Sequence, residues 1–239
     1  MERPAFVVLT GAGISADSGV ATFRGAGGLW EGRRLEDVAT PEAWRKDPRL
    51  VWRFYQERRI ALTTVRPNPA HLALVGFAER CRAAGASFLL VTQNVDDLHE
   101  RAGSTPLHMH GELLKLRCEG CDRAAENRVD LDPAIYVRCA ICGFDRLRPD
   151  VVWFGEMPYF MDEIMEAIDG CSHFVAIGTS GVVYPAAGFL AAARGRGAKT
   201  YVQSLDEPEN LHPRDRFRPG RAAEAVPSLL DELARDSGL

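Results

Sequence analysis

Phe6-Val-Val-Leu-Thr-Gly-Ala-Gly-Ile-Ser-Ala-Asp-Ser-Gly-Val-Ala-Thr-Phe-Arg24 is the stretch that decides the fold class. An apolar run, Ala5 to Leu9, is rich in Val and Phe and stops at a glycine loop. That pattern reads as a strand buried on both faces. Gly11-Ala-Gly13-Ile-Ser-Ala16 follows at once and matches G-x-G-x-x-G/A. At this spacing bare backbone N–H groups can approach a pyrophosphate at a helix N-terminus. The same spacing also serves a plain strand-to-helix turn; a strand before it and a helix after it favour the dinucleotide reading. A dehydrogenase would place Asp or Glu on a second strand about 20 residues later. Here the chain enters Arg24-Gly-Ala-Gly-Gly-Leu-Trp30 instead, a flexible loop. A dinucleotide is therefore expected without hydride transfer, and Thr22 to Trp30 read as a flap over it.

Working outward, 239 residues with 46% apolar content suit one α/β unit carrying an insertion. A net charge of −4 gives no electrostatic reason to expect nucleic acid as a partner. The first strand begins almost at the N-terminus, so no leader segment is expected, and no apolar run reaches the roughly 18 residues that span a membrane. The expectation is a cytoplasmic chain, away from membranes, and a monomer.

Thr40-Pro41-Glu42 and Asp47-Pro48 each combine an N-cap candidate with Pro at the first helical position, so residues 31–65 read as helical. A further helix is predicted from about Ala70 to Ala84, ended by Gly85, before a second buried strand, Ser87 to Thr92. Polar residues Gln93, Asn94 and Asp96 then crowd the carboxyl end of that strand, where open α/β sheets bind ligands; the alternative is an ordinary helix cap. Pro106 to Gly111 is the next candidate strand, with His108 and His110 on one side by the period of two. Such histidines hold a metal, move protons or are satisfied structurally. The adjacent Gly111, which admits close approach, tilts His110 toward function. Strands are also predicted at Val151–Phe154, at His173–Ile177, which runs into Gly178-Thr-Ser-Gly181, and at Thr200–Ser204. Asp206 to Arg221 reads as a surface loop.

Cys118-x-x-Cys121, seventeen residues, then Cys139-x-x-Cys142 is the expected pattern of a closed tetrahedral zinc site with four thiolates. It would staple residues 115–148, which lack the apolar content to fold alone. Cys81 and Cys171 read as small buried hydrophobes. Tyr55 and Arg58 lie three apart on a predicted helix and face one way. A phenol and a guanidinium converging make a carboxylate site; the alternative is an amphipathic helix with solvated arginines.

Taken together, Gly11-Ala-Gly-Ile-Ser15, Thr22-Phe-Arg24, Thr92-Gln-Asn-Val-Asp96, His110-Gly111, the cysteine pairs, Trp153-Phe-Gly-Glu156 and Gly178-Thr-Ser180 resemble the sirtuins in order and spacing. These are NAD-dependent protein lysine deacylases. The resemblance covers nearly the whole chain and is strongest to compact bacterial members. It implies a Rossmann-like parallel sheet with helices on both faces, made of 1–30, 66–114 and 149–239. A small domain would combine the helical insertion 31–65 with the zinc module 115–148.

The resemblance further implies NAD along the strand ends, held by Gly11, Ala12, Gly13, Ser15, Trp30, Gln93, Gly178, Thr179 and Ser180. Phe23 and Arg24 would belong to the flap, and Asn94 and Asp96 would bound the nicotinamide pocket. His110 would be the general base on a ribose hydroxyl, with Asn94 assisting, and Val152, Trp153, Phe154, Gly155 and Glu156 would pair with the substrate backbone. The family's asparagine on the adenosine ribose is replaced here by Gln203-Ser204. Y-x-x-R, as Tyr55 and Arg58, marks members that accept succinyl- and malonyl-lysine, and Ala39 matches a position kept small in that class. Acylated-lysine proteins or peptides are the implied partners, with nicotinamide, 2′-O-acyl-ADP-ribose and free lysine as products. An NAD-dependent ADP-ribosyltransferase and a non-enzymatic zinc-ribbon module are the rival readings.

Overall fold

A computed structural model of the chain describes residues 3–22, the backbone of 29–30, and 33–239. The expectations for Phe23 and Arg24, and for the side chain of Trp30, lie outside the described residues.

The opening run forms β1 (Ala5–Thr10), and Gly13–Ala16 is the short helix α1. Leu29–Trp30 (β2) and Arg33–Arg34 (β3) make a small antiparallel pair. Three helices follow: α2 (Leu35–Val38), α3 (Pro41–Lys46) and α4 (Pro48–Leu62). The predicted caps operate, since Thr40 Oγ1 accepts from Ala43 N–H and Asp47 Oδ1 from Leu50 N–H. Helix α5 (Pro69–Ala84) ends at Gly85, whose φ of +67° is the left-handed turn glycine permits. Next come β4 (Ser87–Thr92), α6 (Leu98–Ala102) and β5 (Leu107–His108). A three-stranded antiparallel unit is built from β6 (Gly111–Cys118), β7 (Ala124–Glu126) and β8 (Leu147–Val151). The chain closes with α7 (Met161–Gly170), β9 (His173–Ile177), α8 (Phe189–Gly195), β10 (Lys199–Ser204), β11 (Arg216–Pro219) and α9 (Ala222–Ser237).

Six strands form one parallel sheet in the order β11-β10-β9-β1-β4-β5. Alternation within β1 sends Phe6 and Val8 to one face, against Leu74, Phe77, Val226 and Leu230 of α5 and α9. Val7 and Leu9 go to the other, against Ile164, Ile168 and Leu190 of α7 and α8. Both faces are therefore covered, as parallel sheets require, and every loop after a strand's carboxyl end gathers on one edge.

A third apolar cluster joins Val38, Ala39, Trp44, Val51, Trp52 and Tyr55 of the helical segment to Leu113, Leu116, Val151 and Trp153. Buried Arg59 reaches across from α4, donating to Asn127 Oδ1 at 2.8 Å and to Asp130 O at 3.0 Å. Trp52 Nε1 donates to Ile135 O at 3.0 Å and Trp44 Nε1 to Glu119 Oε2 at 2.9 Å.

Three expectations are corrected. The strand placed at Val151–Phe154 ends at Val151, because Val152–Glu156 turns; Glu156 reaches back to accept from the Trp153 N–H at 2.8 Å. The loop drawn from Asp206 to Arg221 contains edge strand β11. Gly111 has φ +80°, and a Cβ there would meet Asp150 O at 2.1 Å, so its need is backbone packing against β8 rather than ligand approach. Among the described residues, no helix is long and apolar enough to cross a membrane.

Candidate active site and zinc centre

The strand-end loops interlock through their glycines. Gly11 N–H donates to Ile177 O at 2.9 Å, Gly13 N–H to Gly178 O at 2.8 Å and Gly178 N–H to Gln203 O at 2.7 Å. A Cβ on Gly13 would lie 2.7 Å from Gly178 Cα, and one on Gly178 would lie 2.4 Å from Ile14 N. Side chains at these points would force the two loops apart. Above them opens a cavity of about 1260 Å³. Gly11, Ala12, Gly13, Gly178, Thr179 and Ser180 line one end, with Gln203 and Ser204 beyond them. The bare N–H donors expected at Gly11 and Gly13 are spent on these loop-to-loop bonds, so the glycines shape a cradle at the parallel-strand ends that fits a dinucleotide rather than donate to it. Gln203 Nε2 donates to Gly220 O at 2.7 Å and Ser204 Oγ to Asp206 O at 2.6 Å, so both side chains brace the loops after β10.

Gln93, Asn94, Asp96 and His110 line the middle of the cavity. Ser15 is buried behind them and ties the group together. Its Oγ donates to Asp96 Oδ2 at 3.0 Å and accepts from Asn94 Nδ2 at 3.1 Å. Burial drives the Asp96 carboxyl above its ordinary range, against the bonds from Leu98 N–H and Ser15.

The two histidines have different chemistry. Nδ1 of His110 faces Gln93 O at 3.2 Å. A carbonyl only accepts, so the proton sits on Nδ1 and Nε2 keeps its lone pair. Burial lowers the His110 pKa, partly offset by the bond to Gln93. His108 faces two acceptors, Asn94 O at 3.0 Å from Nδ1 and Glu100 Oε1 at 2.6 Å from Nε2. Burial opposes its charge, but the bond to the Glu100 carboxylate and that carboxylate's field win, and its pKa is raised. With an acceptor on each ring nitrogen, it braces the Asn94 backbone.

The far end of the cavity is lined by Ala39, Tyr55 and Val152, Trp153, Phe154, Gly155 and Glu156. The Tyr55 hydroxyl accepts from Trp153 Nε1 at 2.9 Å. Arg58, from the same helix, is buried and lies back along α4: Nη1 donates to Phe54 O and the guanidinium carbon sits 3.1 Å from the Phe54 ring centroid. The structure thus brings Ala39 and Tyr55 to the cavity wall, with Arg58 one helical turn on, outside the lining. Backbone N–H groups of Val152 and Phe154 donate to His110 O and Ala39 O at 2.9 and 3.0 Å.

The four cysteines converge outside this cavity. Their sulfurs lie within 4.8 Å of one another, with Cys118–Cys142 at 3.5 Å and Cys121–Cys139 at 3.8 Å. Zinc bound at about 2.3 Å by four thiolates needs sulfur–sulfur edges of about 3.8 Å, so the set fits one tetrahedral ion. Each Cys-x-x-Cys folds alike. Asp122 N–H donates to Cys118 O at 2.9 Å and Gly143 N–H to Cys139 O at 3.0 Å, and both donors are left-handed, at φ +57° and +75°.

Sequence reasoning missed Arg148, which holds Glu156 through two bonds, and Arg59, whose buried charge anchors the zinc module. Neither stands in a motif; in a helix or a short strand an arginine carries no mark of the acceptors it will meet.

The Sir2 family profile matches residues 11–185. The NAD-dependent protein deacylase of Escherichia coli (strain K12) is 49% identical over 98% of this chain and 84% of its own length. The NAD-dependent protein deacylase SIR2rp3 of Trypanosoma brucei brucei is 47% identical over 100% of this chain and 99% of its own. Among solved structures, a Sir2 homologue mutant in complex with ADP-ribose superposes with a TM-score of 0.87 at 39% identity, covering 100% of this chain and 95% of that one. Sir2Af2 bound to a myristoylated histone peptide gives 0.74 at 31% identity, with 98% and 92% covered. With a family match over residues 11–185 and relatives 47–49% identical over 98–100% of its length, the chain belongs to the Sir2 family.

Proposed function

We infer that this chain is an NAD-dependent protein lysine deacylase that removes acetyl and succinyl or malonyl groups from lysine. The observation that carries the reading is one continuous cavity. It holds a dinucleotide-sized backbone cradle at one end, the bare Nε2 of His110 in the middle and the Ala39–Tyr55 wall at the other. Relatives named as deacylases at 47–50% identity over nearly the full chain support it.

Bound NAD supplies a ribose carbon carrying nicotinamide as leaving group. The chain's residues do the rest. Ala12 and Ser180 receive the pyrophosphate, and Gly11 and Gly13, whose N–H groups bond the Ile177 and Gly178 carbonyls, let it approach closely. Asn94 and Asp96 close the nicotinamide end, their positions fixed by Ser15. His110 takes a ribose hydroxyl proton on Nε2, while its Nδ1–H stays on the Gln93 carbonyl and keeps the ring in one tautomer. Val152 to Glu156 align the substrate backbone. Phe23 and Arg24 are assigned to the cofactor flap on family resemblance. Tyr55 and Arg58 receive an acyl carboxylate. Cys118, Cys121, Cys139 and Cys142 hold a structural zinc, away from the chemistry. The domain partition that fits this reading is the parallel-sheet unit against a small unit formed by 31–65 and 115–148, supported by their shared apolar cluster.

The test is His110→Ala. Deacylation should fall by about a hundredfold to ten-thousandfold, the range for a positioned acid–base group, while NAD binding measured by calorimetry largely remains. Near-normal turnover would remove His110 from the chemistry.

A further inference from the structure

Trp153 stands where the substrate loop meets the acyl pocket, and its ring is pinned. The Trp153 backbone N–H donates to Glu156 Oε2 at 2.8 Å. Arg148 covers one indole face, its guanidinium carbon 3.5 Å from the ring centroid. The same guanidinium grips Glu156, Nη1 to Oε1 at 2.7 Å and Nη2 to Oε2 at 2.9 Å, and also donates to Val151 O at 2.8 Å. Trp44 tilts against the ring at 5.9 Å. A bidentate arginine–carboxylate pair is directional, and this one is mostly sheltered from water. With the ring fixed, the indole N–H has one direction, toward the Tyr55 hydroxyl at 2.9 Å.

An indole nitrogen is a donor only. Its bond therefore occupies an acceptor site on the Tyr55 oxygen, fixes where that oxygen sits, and turns the phenol proton away from Trp153. An oxygen held in this sense meets a carboxylate as a donor, the sense an acyl-chain carboxylate requires.

We propose that Trp153 is a specificity-determining residue for the acyl group: its indole N–H, aimed by the Arg148–Glu156 pair, holds the Tyr55 hydroxyl as a donor toward a substrate carboxylate. This rests on Tyr55 and Arg58 being the acyl-carboxylate site. Trp153 does not touch the reacting atoms; it acts through Tyr55.

The readout is the ratio of kcat/KM for succinyl-lysine to that for acetyl-lysine in one peptide sequence, since an acetyl group carries no carboxylate to be held. Trp153→Phe keeps a ring under Arg148 and removes the donor; the ratio should fall roughly three- to tenfold, the worth of one neutral hydrogen bond. Should Trp153→Phe not fold, 3-benzothienylalanine at position 153, the tryptophan isostere with sulfur in place of N–H, should give the same fall. In a Tyr55→Phe background neither replacement should move the ratio further, because the acceptor is gone. A ratio unmoved by both replacements, or one that falls equally with and without the Tyr55 hydroxyl, overturns the proposal. A wild-type protein that removes acetyl but never succinyl overturns the acyl-pocket reading and this proposal with it. Wild-type activity on both, with an unmoved ratio, overturns this proposal alone.

Discussion

The proposed role of His110 as a base rests on two neighbours: the Gln93 carbonyl, which claims the Nδ1 proton, and the surrounding protein, which penalises the imidazolium. A lowered pKa has a definite sign. The base form persists to lower pH than an unperturbed histidine would allow, so the acid limb of kcat/KM should have its midpoint below about 6.5. A limb centred above that value would place the titrating group elsewhere. Arg58 gives a second residue-scale expectation. A charged hydrogen bond is worth roughly 1.5–3 kcal/mol, so Arg58→Met should lower desuccinylation about ten- to a hundredfold and largely spare deacetylation. Equal losses on both substrates would mean that Arg58 serves only its own helix, where its Nη1 now meets the Phe54 carbonyl. The sequence showed the helical register of Tyr55 and Arg58. It could not show that the phenol accepts from Trp153, 98 positions away, because that contact exists only once α4 and the 152–156 turn have packed together.

At the scale of elements, the helical segment and the zinc module hold one another. Arg59 is fully buried, yet its neighbours Arg53 and Glu57 are exposed. Its donors satisfy Asn127 and Asp130 on the zinc module, and Gln56 Nε2 adds a bond to Asp130 O at 2.8 Å. From that module Arg128 reaches the buried Asp97 at 2.7 Å, one residue past Asp96 of the cavity lining. Losing the zinc should therefore do more than loosen residues 115–148. Removing it with a strong chelator should lower the melting temperature and cost activity, and zinc added back should restore both. Full activity without metal would separate the module from the site. The Cys-x-x-Cys spacing was legible because ligand geometry dictates it. So were the caps at Thr40 and Asp47 and the glycine stop at Gly85, which are local backbone chemistry. Strand β11 was not legible: Arg216–Pro219 is four residues with Phe217 between two arginines, too short a pattern to stand out, and it is ordered by pairing with β10 and by Phe217 packing on the core. The turn at Val152–Glu156 was missed for a related reason. Its apolar residues read as a strand, while the carboxylate that bends it back comes from Glu156 and is itself held by Arg148.

For the whole molecule, the six parallel strands put their carboxyl-end loops on one edge, and the covered faces leave that edge as the place to bind. The glycine loops, His110 and the Ala39–Tyr55 wall line one cavity, which the proposed function reads as the meeting place of a dinucleotide and an acylated lysine. The most direct test is mass spectrometry of a reaction holding the protein and two peptides of one sequence, acetylated or succinylated on a single lysine, with and without NAD. The expected result is free-lysine peptide from both, together with nicotinamide and the matching acyl-ADP-ribose, only when NAD is present. Peptide that keeps its acyl group, or that gains ADP-ribose instead of losing the acyl group, would contradict it.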